Sequence, residues 1–151
     1  MQPAEVAARV AIADLVARYN AQGDSGRFEQ LLELFCDDAV MELEGTDGTV
    51  TTYEGTAAIA TIFTGAATRW RDQAAARSAR HYLRHFTSTH QIDLVDERHA
   101  TGRCYFAVLM PHGLDHWGRY LDRYEARHGR WLFARRRAVT DGHAEGGGTA
   151  G

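Results

Sequence analysis

Three side chains of this sequence, Asp24, His85 and Tyr19, are of the types that move protons without a cofactor. A carboxylate accepting the Nδ1–H of an imidazole fixes its tautomer, stabilises the imidazolium and leaves Nε2 as a general base. Asp24 and His85 are candidates for that pair: Asp24 lies in the tight link after a helix, and His85 opens a long strand. Tyr19 ends the same helix, where its phenol can reach the mouth of a cavity or simply complete the helix's apolar stripe. His112 closes another strand, on which Cys104, Phe106, Val108 and Met110 share its parity, so a polar group ends an otherwise apolar wall. Each has a plainer reading, since an Asp before a Ser is often a cap and Pro111-His112-Gly113 can be a solvated turn.

Eight histidines invite a metal hypothesis, with His81, His85 and His90 closely spaced and His112 near His116. Strand parity argues against it: His81 and His85 share a face four residues apart and His90 has the opposite one, so the three converge only across a bulge. There is no HExxH motif or paired-cysteine spacing, and Cys36 and Cys104 read as small buried hydrophobes. No phosphate-cradling glycine loop occurs either, because Gly146 to Gly148 lie in a tail. The expectation is a site with no metal and no cofactor. With 17 Lys+Arg against 20 Asp+Glu and a net charge of −3, no nucleic-acid partner is called for. The start, Met1 to Glu5, lacks the basic and apolar regions of a signal peptide, and no apolar run suits a membrane span, so a cytoplasmic protein is expected.

The elements that must position these groups follow from periodicity. At 151 residues and 44% hydrophobic composition the chain suits one domain with one core. Ala8, Ile12, Leu15, Val16 and Tyr19 form one helical face, predicting a helix over 3–20. Ser25 then caps a second helix with the stripe Phe28, Leu31, Leu32 and Phe35. Residues 39–44 and 49–53 read as a hairpin around Asp47-Gly48. A third helix begins at Gly55-Thr56, carries Ile59, Ile62, Phe63, Ala66 and Trp70 on one face, and trails through 71–80 into loop. Four long strands follow, over 81–95, 100–110, 117–127 and 130–139, as a meander. The predicted fold is an α+β cone-shaped barrel, three N-terminal helices on a curved antiparallel sheet enclosing a pocket. It occupies residues 1–142, and the glycine-rich tail 143–151 has nothing to bury and is expected to be disordered. In the third strand Tyr120 and Tyr124 share one face and Trp117 and Leu121 the other, with the register open. The candidate wall residues are accordingly Phe63, Phe106, Val108, Met110, Tyr120 and Trp117. Arg135-Arg136-Arg137 reads as alternating between surface and rim.

Across residues 11–141 the sequence resembles SnoaL-like proteins of the nuclear-transport-factor-2-like superfamily, and within it the scytalone-dehydratase-like group. Ile12 to Tyr19 with Asp24 is similar to the family's opening helix and acidic turn, Leu34 to Val40 to its helix-to-strand passage, and Gly118 to Tyr124 with Gly129 to Phe133 to its last hairpin. The resemblance implies an Asp–His pair on Asp24 and His85, a second active-site histidine on His112, and, as in bile-acid dehydratases, a tyrosine on Tyr19. Gly23 departs from the scytalone dehydratase pattern, which has tyrosine before the aspartate, and Tyr120 falls near that pattern's pocket asparagine. The activity the resemblance implies is that of a lyase, a dehydratase of a small hydrophobic oxygenated ring substrate such as a polyketide or other secondary metabolite. His85 would take a proton beside a carbonyl, Asp24 would orient it, and Tyr19 and His112 would hydrogen-bond the carbonyl or leaving hydroxyl. The alternatives are a cyclase or epoxide-opening enzyme, and a non-catalytic ligand- or partner-binding module. Homodimerisation through the open sheet face is also implied.

Overall fold

The computed structural model describes residues 1–75 and 81–148, so the end of the segment expected to trail from the third helix, and the last three residues, lie outside the described residues. The elements run α1 (Pro3–Asp24), α2 (Phe28–Leu32), β1 (Phe35–Glu44), β2 (Val50–Glu54), α3 (Gly55–Ala75), β3 (Arg84–Leu94), β4 (His99–Met110), β5 (Gly113–Arg127) and β6 (Arg130–His143). One six-stranded sheet has the order β2-β1-β6-β5-β4-β3. Neighbours are antiparallel except β1 and β6, which pair in parallel, so the sheet is mixed where a purely antiparallel one was expected. It curves around the helices without closing, because β2 and β3 remain at its two edges.

Helix α1 supplies most of the roof. Ile12, Leu15, Val16, Tyr19 and Asn20 are its buried positions, the i, i+3, i+4, i+7, i+8 pattern of a single stripe. Gln2 N–H donates to Glu5 Oε2 at 2.7 Å, which satisfies one of the donors orphaned at the helix start. The helix runs to Asp24, and Ser25 is its C-cap where the sequence predicts a cap for α2. Phe35 likewise leaves the helical stripe to begin β1, opposite Phe133 of β6. Its spacing suits a helix, but its burial is won by strand pairing and by a ring contact to Phe133 at 5.2 Å.

The core lies between α1, α3 and the inner face of β1, β4, β5 and β6, around Ile12, Phe35, Met41, Ile59, Phe106, Tyr120, Tyr124 and Phe133. At its centre is a charge. Arg136 and Asp122 side chains are both 0% exposed and joined by two bonds of 2.8 Å. The Arg136 guanidinium stacks against Tyr120, Tyr19 and Phe133 at 3.9, 4.2 and 4.3 Å from the ring centroids. Burial opposes the arginine's charge, but Asp122 outweighs it and holds the guanidinium's pKa above its ordinary value. The arginine triplet therefore alternates as strand geometry requires, with its middle member in the core and not at the rim. Its outer members pair with β1, Arg135 with Glu42 at 2.7 Å and Arg137 with Glu44 at 2.5 Å.

Candidate active site

A cavity of about 1050 Å³ lies between α1, α3 and the β3, β4 and β5 side of the sheet. Its apolar wall includes Phe28, Ile62, Phe63, Trp70, Val108 and Met110, and its polar groups include Tyr19, Asp24, His85, His112, Asp115 and His116, with Arg69 and Arg71 of α3 also among its lining. Asp24 is the last residue of α1, where Gly26 at φ +70° turns the chain sharply back and frees the carboxylate to face β3. His85 is the second residue of β3, opposite Val108 on the inner face. The two meet by a double contact: His85 Nδ1–H donates to Asp24 Oδ1 at 2.6 Å, and the His85 backbone N–H donates to Oδ2 at 2.8 Å. Both side chains are nearly buried, 12% and 11% exposed. This fixes the imidazole tautomer and leaves Nε2 as the ring nitrogen available in the cavity wall.

Tyr19 lines the cavity with its ring wedged edge-on against Phe35, Phe63, Tyr120 and Phe133 at 5.7–6.3 Å. Burial pushes its phenol pKa up to about 12, so at neutral pH the hydroxyl is a hydrogen-bond donor and not a base. His112 lies at the rim, 41% exposed, with its Nε2 3.0 Å from Asp115 Oδ1. Phe63, Val108 and Met110 line the cavity as their faces predict. Phe106 and Tyr120, stacked at 4.7 Å, form the packed layer beneath it and do not line it. Trp117 is a correction: it points to the outer face of the sheet, 37% exposed, and covers Gly142 of β6. Tyr120 and Tyr124 take the inner face of β5, and Trp117 and Leu121 the outer.

Two features have no clear signal in the sequence. The first is Asp115–His116. Leu114 pairs with Leu109 and His116 with Val108, so Asp115 is one extra residue on β5, a β-bulge that turns two consecutive side chains inward. His116 Nδ1–H donates to Asp115 Oδ2 at 2.7 Å, and the two side chains are 6% and 3% exposed. Strand alternation would send one of them outward, and residues 111–115 read as a separator. The second feature is the tail. Ala144 N–H donates to the Asp115 carbonyl at 2.8 Å and Gly148 N–H to Asp115 Oδ2 at 2.9 Å, so the chain as far as Gly148 lies along the cavity instead of hanging free. Gly147 passes so near that an added Cβ would sit 2.3 Å from the Asp115 carbonyl oxygen.

A second bulge, between Ser88 and Gln91 of β3, brings His90 inward to within 3.3 Å of the Tyr124 hydroxyl, away from His85. Among the described residues no three His, Cys, Asp or Glu side chains gather as a metal site would require.

Residues 4–137 match the SnoaL-like domain. The chain belongs to that family. Similar solved structures include a provisionally assigned scytalone dehydratase from Novosphingobium aromaticivorans DSM 12444, 23% identical, with TM-score 0.74 over 99% of this chain and 95% of that one. The hexachlorocyclohexane dehydrochlorinase LinA-type3 from Novosphingobium barchaimii LL02 is 20% identical, with TM-score 0.73 over 93% and 91%. The β subunit of a provisionally assigned aromatic-ring-hydroxylating dioxygenase from N. aromaticivorans is 21% identical, with TM-score 0.73 over 93% of each chain. At these identities the likeness is one of fold. No curated protein matches the chain. No helix among the described residues is long and apolar enough to cross a membrane.

Proposed function

We propose that this SnoaL-like domain is a cofactor-independent acid–base enzyme, a dehydratase that removes water from a hydrophobic, oxygenated ring compound of the polyketide or secondary-metabolite kind. The observation that carries the reading is the double contact of Asp24 with His85 in the wall of an apolar cavity. In the proposed reaction His85 Nε2 takes a proton from the carbon beside a carbonyl. The C–H electron pair becomes the new C=C bond as the neighbouring C–O bond breaks, and the departing hydroxide recovers the proton from the imidazolium and leaves as water. Asp24 holds the ring and balances its transient charge. The Tyr19 hydroxyl, kept protonated by burial, and His112 hydrogen-bond the carbonyl or the departing hydroxyl. The apolar wall strengthens each interaction by excluding water. Structural neighbours described as a dehydratase and a dehydrochlorinase, both elimination catalysts by name, are consistent with this class.

The test is a set of β-hydroxy cyclic ketones, followed by mass spectrometry for the loss of one water. His85→Ala should abolish the loss with the circular-dichroism spectrum and melting temperature kept. Unchanged turnover in that variant would remove the base assignment. A second reading, a non-catalytic partner-binding module, draws on the likeness to a dioxygenase β subunit and on exposed outer-face side chains such as Phe86, Tyr105 and Trp117. It predicts no turnover of any substrate in the set by the unaltered protein.

A further inference from the structure

The proposed elimination makes no use of the second carboxylate–imidazole pair in the cavity wall. Asp115 and His116 repeat the geometry of the first, with Asp115 Oδ2 accepting from His116 Nδ1 at 2.7 Å as Asp24 Oδ1 accepts from His85 Nδ1 at 2.6 Å. The two imidazoles stand nearly perpendicular, at 87°, with ring centroids 6.5 Å apart. His116 is the more enclosed, with a side chain 6% exposed, and its Nε2 is buried with no hydrogen-bond partner among the described residues. Nδ1 carries the hydrogen that Asp115 accepts, and burial lowers the ring's pKa despite Asp115, so Nε2 is a bare lone pair.

The neighbours offer that lone pair nothing. His112 Nε2 lies against Asp115 Oδ1, and Gly148 N–H donates to Asp115 Oδ2. His143, which faces His116 across the sheet, has its Nδ1 on the Ala144 carbonyl. Phe106 presents only a ring, 6.1 Å away. A buried acceptor left without a donor is costly, and such groups in folded proteins have partners or a functional reason for lacking one.

We infer that His116 is a second ligand-recognition residue of the cavity, whose Nε2 accepts a hydrogen bond from a hydroxyl of the bound molecule, with Asp115 as its positioning residue. The site therefore selects hydroxylated ring compounds over ethers, hydrocarbons and halides of the same shape, which would leave the lone pair unpaired. This rests on the reading of the cavity as a substrate site, and not on the reaction being a dehydration.

Two probes separate the cases: 4-phenylphenol, which has a donor, and 4-methoxybiphenyl, which has none. Both suit a cavity walled by Phe28, Phe63 and Trp70. Calorimetry should show the phenol binding about tenfold more tightly than the ether to the unaltered protein, the usual order for one hydrogen bond to a buried acceptor. The preference should vanish in His116→Phe and persist in His85→Phe. Nitrogen-15 NMR of the unaltered protein needs no variant, and the phenol alone should move the His116 Nε2 resonance. Equal affinities, a preference that survives in His116→Phe, an unmoved resonance, or no binding of either probe at its solubility limit would each overturn the inference. A preference lost only in His85→Phe would overturn it while leaving the base assignment standing.

Discussion

Asp24 engages His85 through both oxygens, and each contact does a separate job. The Oδ1 bond sets which ring nitrogen carries hydrogen, while the Oδ2 bond to the backbone N–H fixes where the strand starts relative to the helix end. Asp24→Asn keeps the shape and can still accept the backbone bond, but loses the charge that holds the Nδ1–H tautomer and stabilises the imidazolium. Turnover in this variant should fall by about 10²–10⁴-fold with stability little changed, as steady-state kinetics beside a urea titration would show. At this scale the sequence is informative where local chemistry announces itself: the glycines at 23 and 26 mark the helix end that carries Asp24. It is silent about Asp115, because a bulge breaks the alternation by which inward residues are found. It is silent too about the Arg136–Asp122 pair, since a partner fourteen residues away in an adjacent strand emerges only when Asp122 is known to lie opposite Arg136.

That pair belongs to the scale of elements. Arg136 on β6 and Asp122 on β5 sit under Tyr19 of α1, so one buried guanidinium ties two strands to the helix that ends in Asp24. Tyr124 donates to the same carboxylate at 2.9 Å, which further satisfies it. Removing one member of such a pair strands a charge in a dry aromatic cage, whereas replacing both with apolar residues does not. Asp122→Ala should therefore lower unfolding stability by about 3–5 kcal/mol, and the double change Asp122→Leu with Arg136→Met should lose much less. Urea denaturation curves of the two variants decide this, and equal losses would mean that the pair contributes only through packing. Helix α1 and the long strands are legible because their stripes and alternation run unbroken over many residues. The start of β1 is not: Phe28, Leu31, Leu32 and Phe35 satisfy a helical period, and only pairing with β6 pulls Phe35 out of it. The parallel register of β1 with β6 has no local signature at all.

For the whole molecule, the curved sheet buries one face under the helices and leaves the other open. Phe86, Tyr105, Leu109, Leu114, Trp117 and Leu121 are exposed large hydrophobics on β3, β4 and β5, several of them neighbours across the ladder. An apolar surface of that kind is covered in most soluble proteins. The expected cover is a second copy of the chain, giving a homodimer of twice the 16.8 kDa chain mass in light scattering. Trp117→Arg should shift the mass to that of one chain and leave the interior cavity untouched, because Trp117 lies on the far side of the sheet from Asp24 and His85. A single-chain mass for the unaltered protein would remove the dimer and leave the open face to another partner.

The bulge at Asp115 separates chemistry from architecture. Were that one residue deleted, Leu114 would stand directly before His116, each still opposite its present partner on β4, and the ladder would run on in regular alternation. The cavity wall would lose a carboxylate, the neighbour of two histidines and the anchor of the C-terminal strand's extension, without any strand changing face. A single codon thus divides a plain wall from a charged one, with the same ladder on either side of the change.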